Sequence, residues 1–129
     1  MKAKQSYGTQ GSAGGYSSLP YSPALRAGDF VFLSGQVPVD EAGEIVPGGI
    51  AAQTRQVLDN IVRTLALAGC TFEDVVRATV FLADVRDFPA FNAVYKRYVG
   101  STPPARTTVR ADLMLDARIE IDVTAYKPG

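Results

Sequence analysis

The stretch RIEIDVTAY, residues 118–126, alternates without a break. Ile119, Ile121, Val123 and Ala125 take one parity, and Glu120, Asp122 and Thr124 take the other. Successive side chains of a strand point to opposite faces, so this pattern predicts a strand with one covered face and one open face. A sheet with one covered face needs helices to cover it. The chain supplies two. From about Ile50 to Ala68, the residues Val57, Leu58, Ile61, Val62 and Leu65 recur at helical spacing. Arg55, Gln56, Asp59, Asn60 and Arg63 take the opposite side. Gly69 is a natural stop, and the helix is about 27 Å long. A second helix runs from about Asp87 to Val99, with Pro89 in its first turn, where a missing N–H costs nothing.

The remaining strands follow from the same reasoning. Val75 to Ala83 reads as a strand with Val76, Ala78, Val80 and Leu82 on an apolar face and Arg77, Thr79 and Phe81 on a mixed one. Ala24 to Ala27 and Phe30 to Gly35 flank a Gly28-Asp29 turn, and the second of these is apolar on both faces, which predicts burial on both. TPPARTTVR, residues 102–110, opens on two prolines and then alternates. The expected order is β-β-α-β-α-β-β, an α+β mixed sheet with both helices on one face. The other face would then carry Arg77, Thr79, Arg106, Thr108, Arg110, Glu120, Asp122 and Thr124, together with Phe81. A face so mixed, with Phe30 and Phe32 nearby, suits a subunit interface with polar clefts.

The first 18 residues are rich in Gly, Ser, Gln and Lys and read as a flexible tail. Residues 19–129 read as one domain. Apolar residues make up 47% of the 129, enough for a core. Thirteen basic and 13 acidic side chains cancel, which argues against a broad affinity for nucleic acid. The chain has no histidine, which excludes Ser-His-Asp and Cys-His catalysis and removes the commonest metal ligand. Cys70 is the single cysteine, so neither an intrachain disulfide nor a cysteine-built zinc site can form. It reads as a buried small hydrophobe. No run has the length of a membrane span or the layout of a signal peptide, and the expected location is the cytoplasm.

Arg106 is the leading candidate site residue. Its guanidinium fork matches a carboxylate in two parallel hydrogen bonds, and the alternative is a salt bridge to Glu120 or Asp122 across the sheet. Glu120 is either an exposed strand residue or a carboxylate that holds a water. Tyr21 and Ser22 lie between prolines in a rigid loop, and Ser34-Gly35 marks a bulge or a close backbone approach. Tyr95 and Tyr98 read as packing residues.

The blocks PYSPALRAGDFVFLSGQVPVD, GGIAAQTRQVLDNI, VVRATVFLADVRDFPAFNAVYKRY, PPARTTV and RIEIDV, in this order and spacing, resemble the RidA (YjgF) family of imine deaminases over about Leu19 to Tyr126. The resemblance implies a chorismate-mutase-like fold and a homotrimer with three clefts between subunits. It implies hydrolysis of 2-imino or enamine acids, such as 2-aminoacrylate, 2-iminopropanoate and 2-iminobutanoate, to 2-oxo acids and ammonia, with no metal or organic cofactor. By matching motif, Arg106 is the carboxylate-binding residue, Glu120 positions water, and Tyr21, Ser34, Gly35, Phe88, Asn92 and Thr108 line the cleft. Other readings are an endoribonuclease or translation inhibitor, a label also attached to the family, a deaminase of a larger enamine such as an aminomuconate, and a non-catalytic binder of small carboxylates. The chain departs from the family pattern at Leu19, where members often have Gly, and lacks the usual Leu-Pro before the last strand. Some members have Cys where Thr108 stands, so no thiol chemistry is implied there. These departures bear on substrate size rather than on the carboxylate contact.

Overall fold

The computed structural model describes residues 3–8 and 19–129. Among these, β1 (Gln5–Tyr7), β2 (Ala24–Ala27), β3 (Phe30–Leu33), α1 (Gly49–Leu67), β4 (Val75–Leu82), α2 (Phe88–Val99), β5 (Ala105–Arg110) and β6 (Ile119–Tyr126) follow in chain order. The strands form one sheet in the order β1-β2-β3-β6-β4-β5. Every neighbouring pair is antiparallel except β4 and β5, which need a crossover to run parallel, and α2 supplies it. The expected α+β mixed sheet with two helices is present. Within the N-terminal segment, Gln5–Tyr7 form a strand that pairs with β2 along its outer edge. Residues 1–2 and 9–18 lie outside the described residues.

One hydrophobic cluster unites the covered sheet face with both helices. Val31, Ala78, Val80, Ile119, Ile121 and Val123 meet Val57, Leu58, Ile61 and Leu65 of α1 and Phe91, Val94 and Tyr95 of α2. Each fully buried aliphatic side chain contributes about 1.5–3 kcal/mol, so this cluster holds the helices to the sheet. Cys70 is buried within it. At the end of α1 the Gly69 N–H donates to Ala66 O and the Cys70 N–H to Leu65 O, both at 3.0 Å. This closure needs the left-handed φ of 76° that Gly69 adopts.

Three expectations are corrected. Val76 is exposed, because a register shift between Val75 and Arg77 turns Val75 inward in its place. β3 is buried on one face only: Phe30 and Phe32 remain 42% and 45% exposed, because no layer among the described residues covers that side of the sheet. Asn60 is buried rather than on the solvent side of α1. Its Nδ2 donates to Val37 O at 3.1 Å and Val39 O at 3.0 Å, which fastens the segment after β3 to the helix.

The fourth correction bears on the site. Arg106 pairs with Ala78 in the parallel ladder, and Ala78 pairs with Val123 in the antiparallel one. Paired residues point to the same side, and Ala78 and Val123 are core residues. Arg106, Thr108 and Arg110 therefore face the helices, and Ala105, Thr107 and Val109 face outward. Glu120 and Asp122 pair with Phe81 and Thr79 and face the open side. The expected common face is split, and a salt bridge from Arg106 to Glu120 or Asp122 within the chain is ruled out by register.

Candidate functional site

The predicted site residues fall into two groups on opposite sides of the sheet. The first surrounds Arg106. β5 is an edge strand, and Arg106 on its helix-facing side meets α2. There the guanidinium carbon lies 5.8 Å from the Phe88 ring centroid, 5.1 Å from Phe91 and 4.9 Å from Tyr95. These residues recur at helical spacing and form one stripe of α2, with Asn92 on the same stripe between Phe88 and Tyr95. Among the described residues no carboxylate forms an ion pair with Arg106. Thr108 shares its strand face, and Thr108 Oγ1 is buried without a hydrogen-bond partner among the described residues. The same holds for Tyr95 Oη. Burial raises the Tyr95 pKa, and the Arg106 charge lowers it without outweighing burial. Arg106 acts on that hydroxyl by proximity, without a hydrogen bond of proper geometry. A cation among three aromatic faces, beside unspent hydroxyls, is chemistry suited to an incoming anion.

The second group surrounds Glu120. From the Phe32–Thr124 pair to the Gln36–Ile121 bridge, the chain advances four residues after β3 but only three on β6. The extra residue bulges the backbone at Ser34-Gly35, as the sequence suggests. Gly35 consequently lies against the Glu120 carboxylate, and a Cβ at position 35 would overlap Glu120 Oε2. The Ser34 N–H donates to Pro23 O at 3.0 Å, and Ser34 Oγ donates to Ser22 O at 2.6 Å. Ser34 thus clamps the proline-bounded loop that presents Tyr21. Burial raises the pKa of Glu120, and the Asp122 charge adds to the effect. Burial likewise raises Tyr21, with the Glu120 charge adding to it. A carboxylate with a raised pKa is a better proton acceptor near neutral pH.

Tyr21 forms a wall of two hollows. One, of about 260 Å³, is also lined by Gly35, Gln36, Asn60, Arg63 and Leu67. The other, of about 390 Å³, is lined by Lys4, Leu25, Phe32 and Ser34. One ion pair spans the starts of the two groups. Arg118, two residues before Glu120, grips Asp87, immediately before Phe88, through Nε–Oδ2 at 2.9 Å and Nη2–Oδ1 at 3.1 Å. Phe91, Tyr95, Gln36 and Arg63 were not singled out as site residues by sequence pattern. Tyr95 reads as a packing residue in the sequence, and it does lie in the core.

A chain with this mixed sheet finds its counterparts among known proteins. The model of the family described as Endoribonuclease L-PSP matches residues 15–127. The chain belongs to this RidA/YjgF/L-PSP family. A RutC family protein of Pyrococcus horikoshii is 49% identical to this L-PSP-family chain over 110 residues, covering 84% of this chain and 87% of that protein. The 2-iminobutanoate/2-iminopropanoate deaminase of Bos taurus is 45% identical, covering 84% of this chain and 80% of that protein. Among solved structures, a YjgF-family protein of Neisseria meningitidis superposes with a TM-score of 0.82 at 33% identity, covering 98% of this chain and 96% of that one. No helix among the described residues of the L-PSP-family chain is long and apolar enough to cross a membrane.

Proposed function

We propose that three copies of this chain assemble in the cytoplasm and that each cleft between neighbours hydrolyses small 2-imino acids to 2-oxo acids and ammonia. The observation that carries this reading is the split of the site. Arg106 and Glu120 lie on opposite sides of one sheet, so a substrate of a few carbon atoms cannot touch both within one chain. A neighbour that brings its Glu120 group to the Arg106 group completes the constellation. The open sheet face supports such assembly, because Phe30, Phe32, Val109 and Tyr126 are exposed on it in one chain. The deaminase named above, which acts on 2-iminobutanoate and 2-iminopropanoate by its name, supports the substrate class.

In this mechanism Arg106 holds the substrate carboxylate in a two-bond fork, and the Phe88, Phe91 and Tyr95 rings fix the guanidinium plane. The imine carbon beside that carboxylate is electrophilic, more so when its nitrogen is protonated. Glu120 orients a water and accepts its proton as oxygen bonds to the carbon. The resulting carbinolamine carries hydroxyl and amine on one carbon. It collapses to the oxo acid as Glu120 returns its proton to the nitrogen, which leaves as ammonia, and the hydroxyl proton passes to solvent in place of the one that protonated the imine. Water in and ammonia out balance the reaction, and no electrons are transferred. Generating 2-iminobutanoate in situ and following ammonia tests the proposal. The protein should accelerate release above the spontaneous rate, and Arg106→Ala should abolish most of the acceleration. A wild-type protein without acceleration would refute the reading.

A further inference from the structure

We propose that Tyr95 is a substrate-binding residue of the Arg106 pocket, its hydroxyl donating a hydrogen bond to the same carboxylate that Arg106 grips. This rests on the proposed function and adds to it a residue with no role assigned so far. Tyr95 is 4% exposed and packs in the core, its ring 5.3 Å from that of Phe91. Ring packing alone would be served as well by phenylalanine. A buried phenol without a partner is costly, because folding strips it of water and returns nothing. Such a group calls for an explanation, and its position beside a guanidinium that pairs with no carboxylate among the described residues provides one.

The donor count is consistent with this. A carboxylate offers about four lone-pair positions. The Arg106 fork fills two, and the Tyr95 and Thr108 hydroxyls, both buried and unspent, can fill the others. Thr108 lies two residues along β5 on the same face, about 7 Å from Arg106 at strand rise. The phenol is kept as a donor: its pKa is raised, burial being the larger cause and the Arg106 charge only partly offsetting it. A neutral hydroxyl has a proton to give, whereas a phenolate would repel the substrate.

Tyr95→Phe tests the proposal, because it removes one oxygen and leaves the ring. A ligand-directed hydroxyl and a structural hydroxyl predict opposite outcomes. Calorimetry with 2-oxobutanoate, the product carboxylate, should show binding about tenfold weaker in Tyr95→Phe. The melting temperature should stay level or rise, because an unsatisfied buried group is gone. KM for 2-iminobutanoate should rise more than kcat falls. Arg106→Ala serves as the reference for loss of the pocket, and oligomeric state is checked in each protein. If wild type binds 2-oxobutanoate, Arg106→Ala does not, and Tyr95→Phe matches wild type, the Tyr95 assignment is overturned while the Arg106 reading stands. A fall in melting temperature with unchanged affinity overturns it equally, since the hydroxyl then has a structural partner. If wild type does not bind the oxo acid, both readings fail together.

Discussion

The Arg106 and Glu120 groups differ in how the chain holds them. The cation rests on side chains: three rings of α2 surround it, and no carboxylate among the described residues pairs with it. The carboxylate rests on backbone: a one-residue bulge after β3 presses Gly35 against it, and Ser34 ties that bulge to the Tyr21 loop. The first group encloses its charge among rings. The second is partly buried, with a raised pKa. On the proposed function, binding and proton transfer fall to different faces of one sheet, and the Arg118–Asp87 pair links the residues just before Glu120 and Phe88.

The largest expected effect separates the two groups cleanly. Glu120→Gln keeps the shape and removes the basicity, so kcat should fall about 10²–10⁴-fold while 2-oxobutanoate binding is retained. Loss of binding equal to the loss of turnover would show that the two groups are not functionally distinct.

A smaller effect is expected at Gly35. Its φ is not in the left-handed region, so alanine fits the backbone, and the clash falls on the far end of the Glu120 side chain. Gly35→Ala should fold normally yet lower kcat by about 10- to 100-fold, because the carboxylate is pushed off its water. Wild-type turnover would mean that Glu120 functions from another position.

The extent to which the sequence foretold this arrangement follows the same division. β6 announced itself through strict alternation, and the helices through their apolar spacing, because a core enforces both periods. β5 did not. In ARTTVR neither parity is strongly apolar, and the reading that put Arg106, Thr108 and Arg110 on the open face was wrong. An edge strand over an aromatic stripe can face arginine inward, and only the pairing of Arg106 with Ala78 reveals it. The Val76 bulge was hidden for a related reason, since Val75 and Val76 are equally apolar and only the ladder says which turns inward. Gly35 was legible as a bulge or close approach, but its contact with Glu120 depends on a strand 85 residues later. Tyr95 was legible as packing, and its unspent hydroxyl was not.

The smallest effect concerns stability. The folded state raises the Glu120 pKa above its ordinary value near 4.5. The proton is therefore held more tightly when folded. Stability associated with this group is fully present below the ordinary value and is lost as pH rises through the raised one. At neutral pH the charged carboxylate burdens the fold, and Glu120→Gln should raise the melting temperature by about 1–3 °C. The gain should vanish at pH 4, where wild-type Glu120 is largely protonated as well. Activity has the opposite sign: kcat/KM should fall as pH drops through the raised pKa, because the base becomes protonated. A Gln variant that melts lower at neutral pH would show that the carboxylate is structural.

Subunit complementation addresses the division of the site most directly. Arg106→Ala and Glu120→Gln chains, each inactive alone, are unfolded, mixed in equal amounts and refolded, and ammonia release from 2-iminobutanoate is measured. If one chain supplies Arg106 and its neighbour Glu120, random assembly leaves about a quarter of the clefts with both groups intact, and about a quarter of wild-type activity should return. If each chain builds its own site, every cleft carries one lesion, and the mixture should stay as inactive as its parents.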